Sequence, residues 1–195
     1  DAGQWWVAKT NETGTGSVNE LWGYWSPVAW SDMHAADVSG PEVPALTALA
    51  AAPGPAAAES LGQEQLNLVV EQAIQQWEAA GLAAAQLAAF RHVQVVIADL
   101  PGLPLGLATP GTIVLDVNAA GYGWHVEAGP QNREPAASRM DLLTTVLHEL
   151  GHVTGLADQY GDLDSPDLMS GWLLPGTRRL PVLADLDAVF GDSTW

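Results

Sequence analysis

His148-Glu149-Leu150-Gly151-His152-Val153-Thr154-Gly155-Leu156-Ala157-Asp158 is the stretch around which the rest of the chain is read. Two histidines four residues apart fall on one face of a helix, so both imidazoles can reach a single ion. Glu149 follows the first histidine directly and stands beside such an ion rather than on it, where its carboxylate can take a proton from water. A catalytic zinc takes three protein ligands and keeps a fourth position open. Gly155 supplies the hinge for the third, because glycine tolerates the left-handed conformation that ends a helix sharply, and Asp158 just beyond it offers a hard carboxylate. His-Glu-x-x-His alone would also fit two ordinary surface histidines. The added glycine and carboxylate, on a capped amphipathic helix, argue for a site with His148, His152 and Asp158 on the metal and Glu149 as general base.

The helix carrying the motif is expected to run from about Ser138 to Leu156. Ser138-x-x-Asp141 reads as its cap, and Leu143, Val146, Leu147, Leu150 and Val153 supply its buried face. Upstream, Leu66, Val69, Val70, Ala73, Ile74 and Trp77 recur at helical spacing between a Ser60-x-x-Gln63 start and a stop at Gly81. Val93 to Ala98 and Thr112 to Val117 are β-branched runs bounded by Gly and Pro, the pattern of strands. Pro181, suited to a first helical position, opens a last helix through Phe190. The fold class expected is α+β, with no internal repeat.

Before residue 60 the pattern differs. Trp5, Trp6, Trp22, Trp25 and Trp30 sit among polar turns, and Gly40 to Ala58 is rich in Pro and Ala, which reads as an extended connector rather than a packed element. The division expected is a Trp-rich arm with its connector over 1–58 and one catalytic domain over 59–195, since 195 residues with 48% hydrophobic content suffice for one good core.

Net charge and cysteine count narrow the chemistry. With six Lys and Arg and a formal charge of -17, the chain is a poor partner for nucleic acid or anionic membranes. No run reaches the roughly 18 to 20 apolar residues of a membrane-spanning helix, so a soluble protein is expected. The absence of cysteine excludes disulfides, thiol nucleophiles and thiolate metal sites, leaving His, Asp and Glu as ligands. The start, Asp1 to Thr10, lacks the basic and apolar regions of a signal peptide, which fits a cytosolic, processed or excised chain.

The extended motif, His-Glu-x-x-His-x-x-Gly-x-x-Asp, resembles the metzincin clan of zinc metallopeptidases. An aspartate where the third histidine usually stands is similar to the snapalysin-type variant and to peptidase-like domains of large bacterial surface or secreted proteins. Asp167-Leu168-Met169-Ser170 resembles the clan's methionine-bearing turn, with Met169 in a packing role. Leu105 to Ala108, Thr112 to Asp116 and Tyr122 to Trp124 are similar to the matrixin-like arrangement in which an edge strand pairs with extended substrate. The resemblance spans about residues 60 to 190. It implies a zincin fold with a twisted mixed sheet, an active-site helix, a Met-turn and a C-terminal helix. It also implies Zn2+ as cofactor, protein or peptide substrates, and a secreted or cell-surface location.

The activity expected is therefore zinc-dependent endoproteolysis. The alternative is a zinc-binding module of a large surface protein that is non-catalytic or processes only its own parent chain. Weaker signals are read more blandly. His34, His92 and His125 have no partner at ligand spacing, and Asp158, Asp162, Asp164 and Asp167 do not follow the twelve-residue calcium-loop pattern. Asp32, His34 or Asp37 could instead reach the open zinc position and hold the enzyme latent, by analogy.

Overall fold

The computed structural model describes residues 5–10, 17–22, 44–53, 60–126 and 135–190, of which 5–10, 17–22 and 187–190 are described through the backbone only. The chain divides into two compact units, Asp1–Asp37 and Val38–Trp195. In the first, strands β1 (Trp5–Thr10) and β2 (Ser17–Trp22) pair antiparallel. Asp32, His34 and Asp37, the candidates for a latch, lie outside the described residues.

The second unit is mixed α and β. Its described elements are β3 (Thr47–Ala48), α1 (Gln63–Ala80), α2 (Ala84–Phe90), β4 (Gln94–Ala98), β5 (Gly106–Thr109), β6 (Thr112–Asp116), β7 (Trp124–His125), β8 (Met140–Asp141), α3 (Leu142–Val153), β9 (Trp172–Leu173) and α4 (Leu183–Phe190). Instead of one continuous sheet there are small ones. β4 pairs parallel and β5 antiparallel with the central β6, β7 runs parallel to β8, and β3 runs parallel to β9. No described helix is long and apolar enough to cross a membrane.

Helix α1 follows its apolar spacing, with Leu66, Val69, Ala73 and Trp77 buried and Gly81 ending it at a left-handed φ of 105°. Its start lies later than the Ser60 signal. Gly62 is the cap residue, and its N–H donates to the side-chain oxygen of Gln65 at 3.1 Å. Full burial of each large apolar side chain on this face contributes about 1.5–3 kcal/mol. Trp77 has no exposed surface, and its indole N–H donates to the Leu147 carbonyl at 3.2 Å, which ties α1 to α3.

Helix α3 differs from the amphipathic helix expected, because every residue from Leu142 to Gly151 is buried. Its polar residues find partners inside the protein rather than in water. The Thr145 hydroxyl donates to the Asp141 carbonyl at 3.0 Å, and the Thr144 hydroxyl donates to the Asp141 carboxylate at 2.7 Å. The helix also begins later than Ser138: Met140 and Asp141 belong to β8, and Asp141 itself caps α3 by accepting from the Thr144 N–H at 3.1 Å. At the other end, Leu156 N–H bonds the Gly151 carbonyl and Gly155 N–H bonds the His152 carbonyl, with Gly155 at φ 94°. That pair of reversed bonds closes the helix and turns the chain back.

Helix α4 begins at Leu183 rather than Pro181, since the Asp185 carboxylate accepts from the Val182 N–H at 2.6 Å and sets the first turn there. The largest departure from expectation concerns Pro44 to Ala48, which the Pro/Ala composition assigned to an unpacked connector. Leu46 and Ala48 have no exposed surface and belong to the core, and the backbone between them is hydrogen-bonded on both sides.

Candidate metal centre and general base

Among the described residues, His148, His152 and Asp158 form the one group of three or more ligand-type side chains gathered around a common point. The two Nε2 atoms lie 3.1 Å apart, and Asp158 Oδ1 is 2.9 Å from that of His148 and 3.3 Å from that of His152. A tetrahedral ion with bonds of about 2.0–2.1 Å has ligand-to-ligand edges of roughly 3.3 Å, so the triangle is close to the size that zinc needs.

The outer nitrogens decide what the inner ones can do. His148 Nδ1 lies 2.9 Å from the Leu168 carbonyl oxygen and His152 Nδ1 lies 2.8 Å from that of Leu156. A carbonyl only accepts, so both Nδ1 atoms carry the proton and both Nε2 atoms of the neutral rings present lone pairs. Asp158 Oδ1 is buried and has no hydrogen-bond donor beside it. Three lone-pair atoms thus face one point, an arrangement that a cation relieves.

Each orienting carbonyl has a local origin. Leu156 is the residue placed by the helix-ending turn at Gly155, so one turn positions both the ligand Asp158 and the carbonyl that holds His152. Leu168 lies in the Asp167–Ser170 turn, which closes through Met169 N–H to the Asp167 carboxylate at 2.8 Å. Met169 is buried, and its Sδ sits 2.6 Å from where a side chain on Gly151 would begin. The glycine inside the motif therefore lets the methionine turn press against the active helix.

Glu149 has no exposed surface. Its Oε1 accepts the Leu46 N–H at 3.1 Å, and its Oε2 is buried without a hydrogen-bond partner. Burial pushes its pKa up, the His148 and His152 rings and the Leu46 N–H pull it down, and the Asp158 charge adds to the rise, for a net upward shift. Asp158 goes the other way. Burial opposes its ionisation, but the hydrogen bonds and charge that the His148 ring and then the His152 ring bring when protonated hold it well below the ordinary carboxylate range. Its Oδ2 accepts from the Tyr160 hydroxyl at 3.2 Å and from the Ala45 N–H at 3.3 Å.

Gly106, at the start of β5, sits against Glu149: a Cβ there would lie 2.7 Å from Oε1 and 2.8 Å from Cγ. Those distances are below contact, so Gly106→Ala displaces the carboxylate. Misplacing a reacting group by about 1 Å can cost on the order of 100-fold in rate. If Glu149 serves as a general base beside a bound zinc, Gly106→Ala is expected to lower the turnover that depends on it by about 10- to 100-fold with metal content unchanged, measured by turnover and metal analysis of the same preparation. Equal turnover would show that Glu149 does not need its present position.

The sequence signals placed all four motif residues together. They missed Leu46, Gly106 and the buried Arg179, whose guanidinium donates to the Trp172 carbonyl at 2.7 Å and so anchors β9. His92 is exposed and His125 lies in β7, and neither belongs to a ligand group among the described residues. The same holds for Asp162, Asp164 and Asp167.

Comparison with protein-family models, curated proteins and solved structures finds no match.

Proposed function

We propose that this chain is a zinc-dependent endopeptidase of the metzincin type, cutting extended peptide with Glu149 as general base. The observation that carries the reading is the convergence of His148 Nε2, His152 Nε2 and Asp158 Oδ1 beside a buried carboxylate that is not itself one of the three. A purely structural zinc has no need of such a base. Zinc held by these three residues supplies Lewis acidity, lowering the pKa of water and polarising a carbonyl.

The remaining work belongs to the protein's own groups. Glu149 accepts the proton of the attacking water and returns it to the departing amine. The side of β5 opposite β6 already hydrogen-bonds the extended residues 44–48, the pairing by which a substrate chain would add as a further strand. Burial of α3 on all sides holds the two histidines in fixed orientation.

The test is metal content by mass spectrometry of protein purified without chelator, beside His148→Ala, with hydrolysis of an unstructured protein followed on both. One zinc per chain, lost in the variant together with chelator-sensitive hydrolysis, is expected. Absence of zinc from the unaltered protein overturns the reading.

Acid should release the metal, because protons compete for the same lone pairs. Burial works against a charged His152, but hydrogen bonds to Asp158 and the Leu156 carbonyl, with the charges of Glu149 and Asp158, outweigh it and raise its pKa. A raised histidine pKa means that competition begins at higher pH than for an ordinary imidazole at about 6.5. Zinc affinity is expected to be constant at alkaline pH and to fall as pH drops through that raised value, which competition with a chromogenic chelator will show. Affinity that rises toward acid would contradict the ligand set.

A further inference from the structure

Residues 44–48 lie along the edge that the proposed peptidase offers to substrate. Their backbone runs antiparallel to 103–108: Leu105 N–H donates to the Leu46 carbonyl at 2.7 Å, Ala48 N–H to the Leu103 carbonyl at 2.9 Å, and Ala108 N–H to the Pro44 carbonyl at 3.3 Å. On the opposite side Thr47 N–H donates to the Gly171 carbonyl at 3.0 Å, and β3 runs parallel to β9. The segment is an added strand held between two walls, which is how an extended peptide docks on a sheet edge.

Its register relative to the chemistry is what makes it informative. The Leu46 N–H points at Glu149 Oε1 at 3.1 Å, and the Ala45 N–H points at Oδ2 of the ligand Asp158 at 3.3 Å. The Pro44–Ala45 amide therefore faces the ligand Asp158, the Ala45 carbonyl accepts from the Thr47 hydroxyl at 3.4 Å, and it is the Ala45–Leu46 bond that lies at the general base. Its nitrogen already sits at the group that must deliver a proton to a leaving amine. Leu46 is fully buried, as a side chain anchoring the departing half of a substrate would be.

We propose that residues 44–48 are bound as the protein's own substrate and that the Ala45–Leu46 bond is cut within the same chain. This rests on the peptidase reading above and adds to it a specific bond and a preference for a leucine-sized apolar residue on the amine side. Water is the only co-reactant. Its oxygen bonds to the Ala45 carbonyl carbon, the C–N bond to Leu46 breaks, one water proton passes through Glu149 to the Leu46 nitrogen, the second leaves the new carboxylic acid for the same amine, and the products are an Ala45 carboxylate and a Leu46 ammonium.

The test starts from the full chain prepared metal-free. Zinc is then added, and intact mass and the N-terminal sequence of the product are followed at two protein concentrations ten-fold apart. An unstructured protein is offered in a parallel sample. The expected result is a product starting at Leu46, formed with a first-order rate constant independent of protein concentration and absent from Glu149→Gln. Leu46→Pro, which has no N–H to present to Glu149, should remain uncut at that bond. A reading that needs no turnover is hydrogen exchange in the metal-free chain, where the amides of Leu46, Thr47 and Ala48 are expected to exchange at least 100-fold more slowly than in an unfolded chain. Cleavage of the added protein with the Ala45–Leu46 bond intact, or a rate constant that rises with protein concentration, overturns this inference and leaves the peptidase reading standing. Zinc binding with no cleavage of either kind overturns both. Unprotected amides at 46–48 overturn the docking whatever the mass shows.

Discussion

Glu149→Gln is expected to lower hydrolysis of an unstructured protein by about 10²–10⁴-fold, the usual contribution of a positioned general base, with zinc content and melting temperature close to those of the unaltered protein. Glutamine has the shape of glutamate, and Glu149 fills a site with no solvent access, so packing is kept. The Leu46 N–H donates to one carboxylate oxygen at 3.1 Å, a bond that an amide oxygen can equally accept. The amide cannot take a proton from water at neutral pH. Because Glu149 is not among the three converging ligands, the ion keeps its holders. The variant thus separates chemistry from binding: loss of turnover with zinc retained identifies Glu149 as the base, whereas full turnover would end that assignment. His148→Ala differs in kind, since it should lose zinc and turnover together.

The parts of the site legible in the sequence are those whose geometry is local. His148, Glu149 and His152 share one helix, and the turn at Gly155 brings Asp158 back within six residues of the second histidine, so helix periodicity and one left-handed residue suffice to place them. Met169 was readable only by resemblance. The reason for its position, the missing side chain at Gly151, is a contact between elements that no spacing reveals. Leu46 was misread for the same reason. It stands 103 residues from Glu149, in a Pro- and Ala-rich stretch whose composition resembles a linker, and what makes it a strand is the unpaired edge of β5 and the Gly171 carbonyl. Short α2 was hidden inside an Ala-rich segment. The all-round burial of α3 was hidden because its threonines and Glu149 look like a solvent face until their internal partners are seen.

The start of α3 shows how a long-range partner settles a local ambiguity and supplies the second large effect. Ser138 and Asp141 are both good cap residues, but Asp141 is fully buried and its carboxylate meets Arg178 in a two-pronged pair, Nη2 to Oδ1 at 2.6 Å and Nε to Oδ2 at 3.0 Å, while also receiving Thr144. Asp141→Ala removes the cap and deprives a buried guanidinium of its carboxylate. Breaking such a pair from one side costs about 3–5 kcal/mol, with the cap contributing about 1 kcal/mol that is not simply additive. For a chain of this size each kcal/mol moves the melting temperature by roughly 2–4 °C, so a fall of about 6–20 °C is expected by calorimetry. Asp141→Ala combined with Arg178→Met should recover part of that loss, because replacing both members with apolar groups leaves no uncompensated charge. His148 lies two turns further along, about 10 Å up the helix axis, so zinc affinity measured well below the new melting temperature should stay within a few-fold of the original. A double variant no more stable than Asp141→Ala would show that the cost lies in the cap rather than the ion pair. A large loss of zinc affinity without a fall in melting temperature would instead place Asp141 in the metal centre's own support.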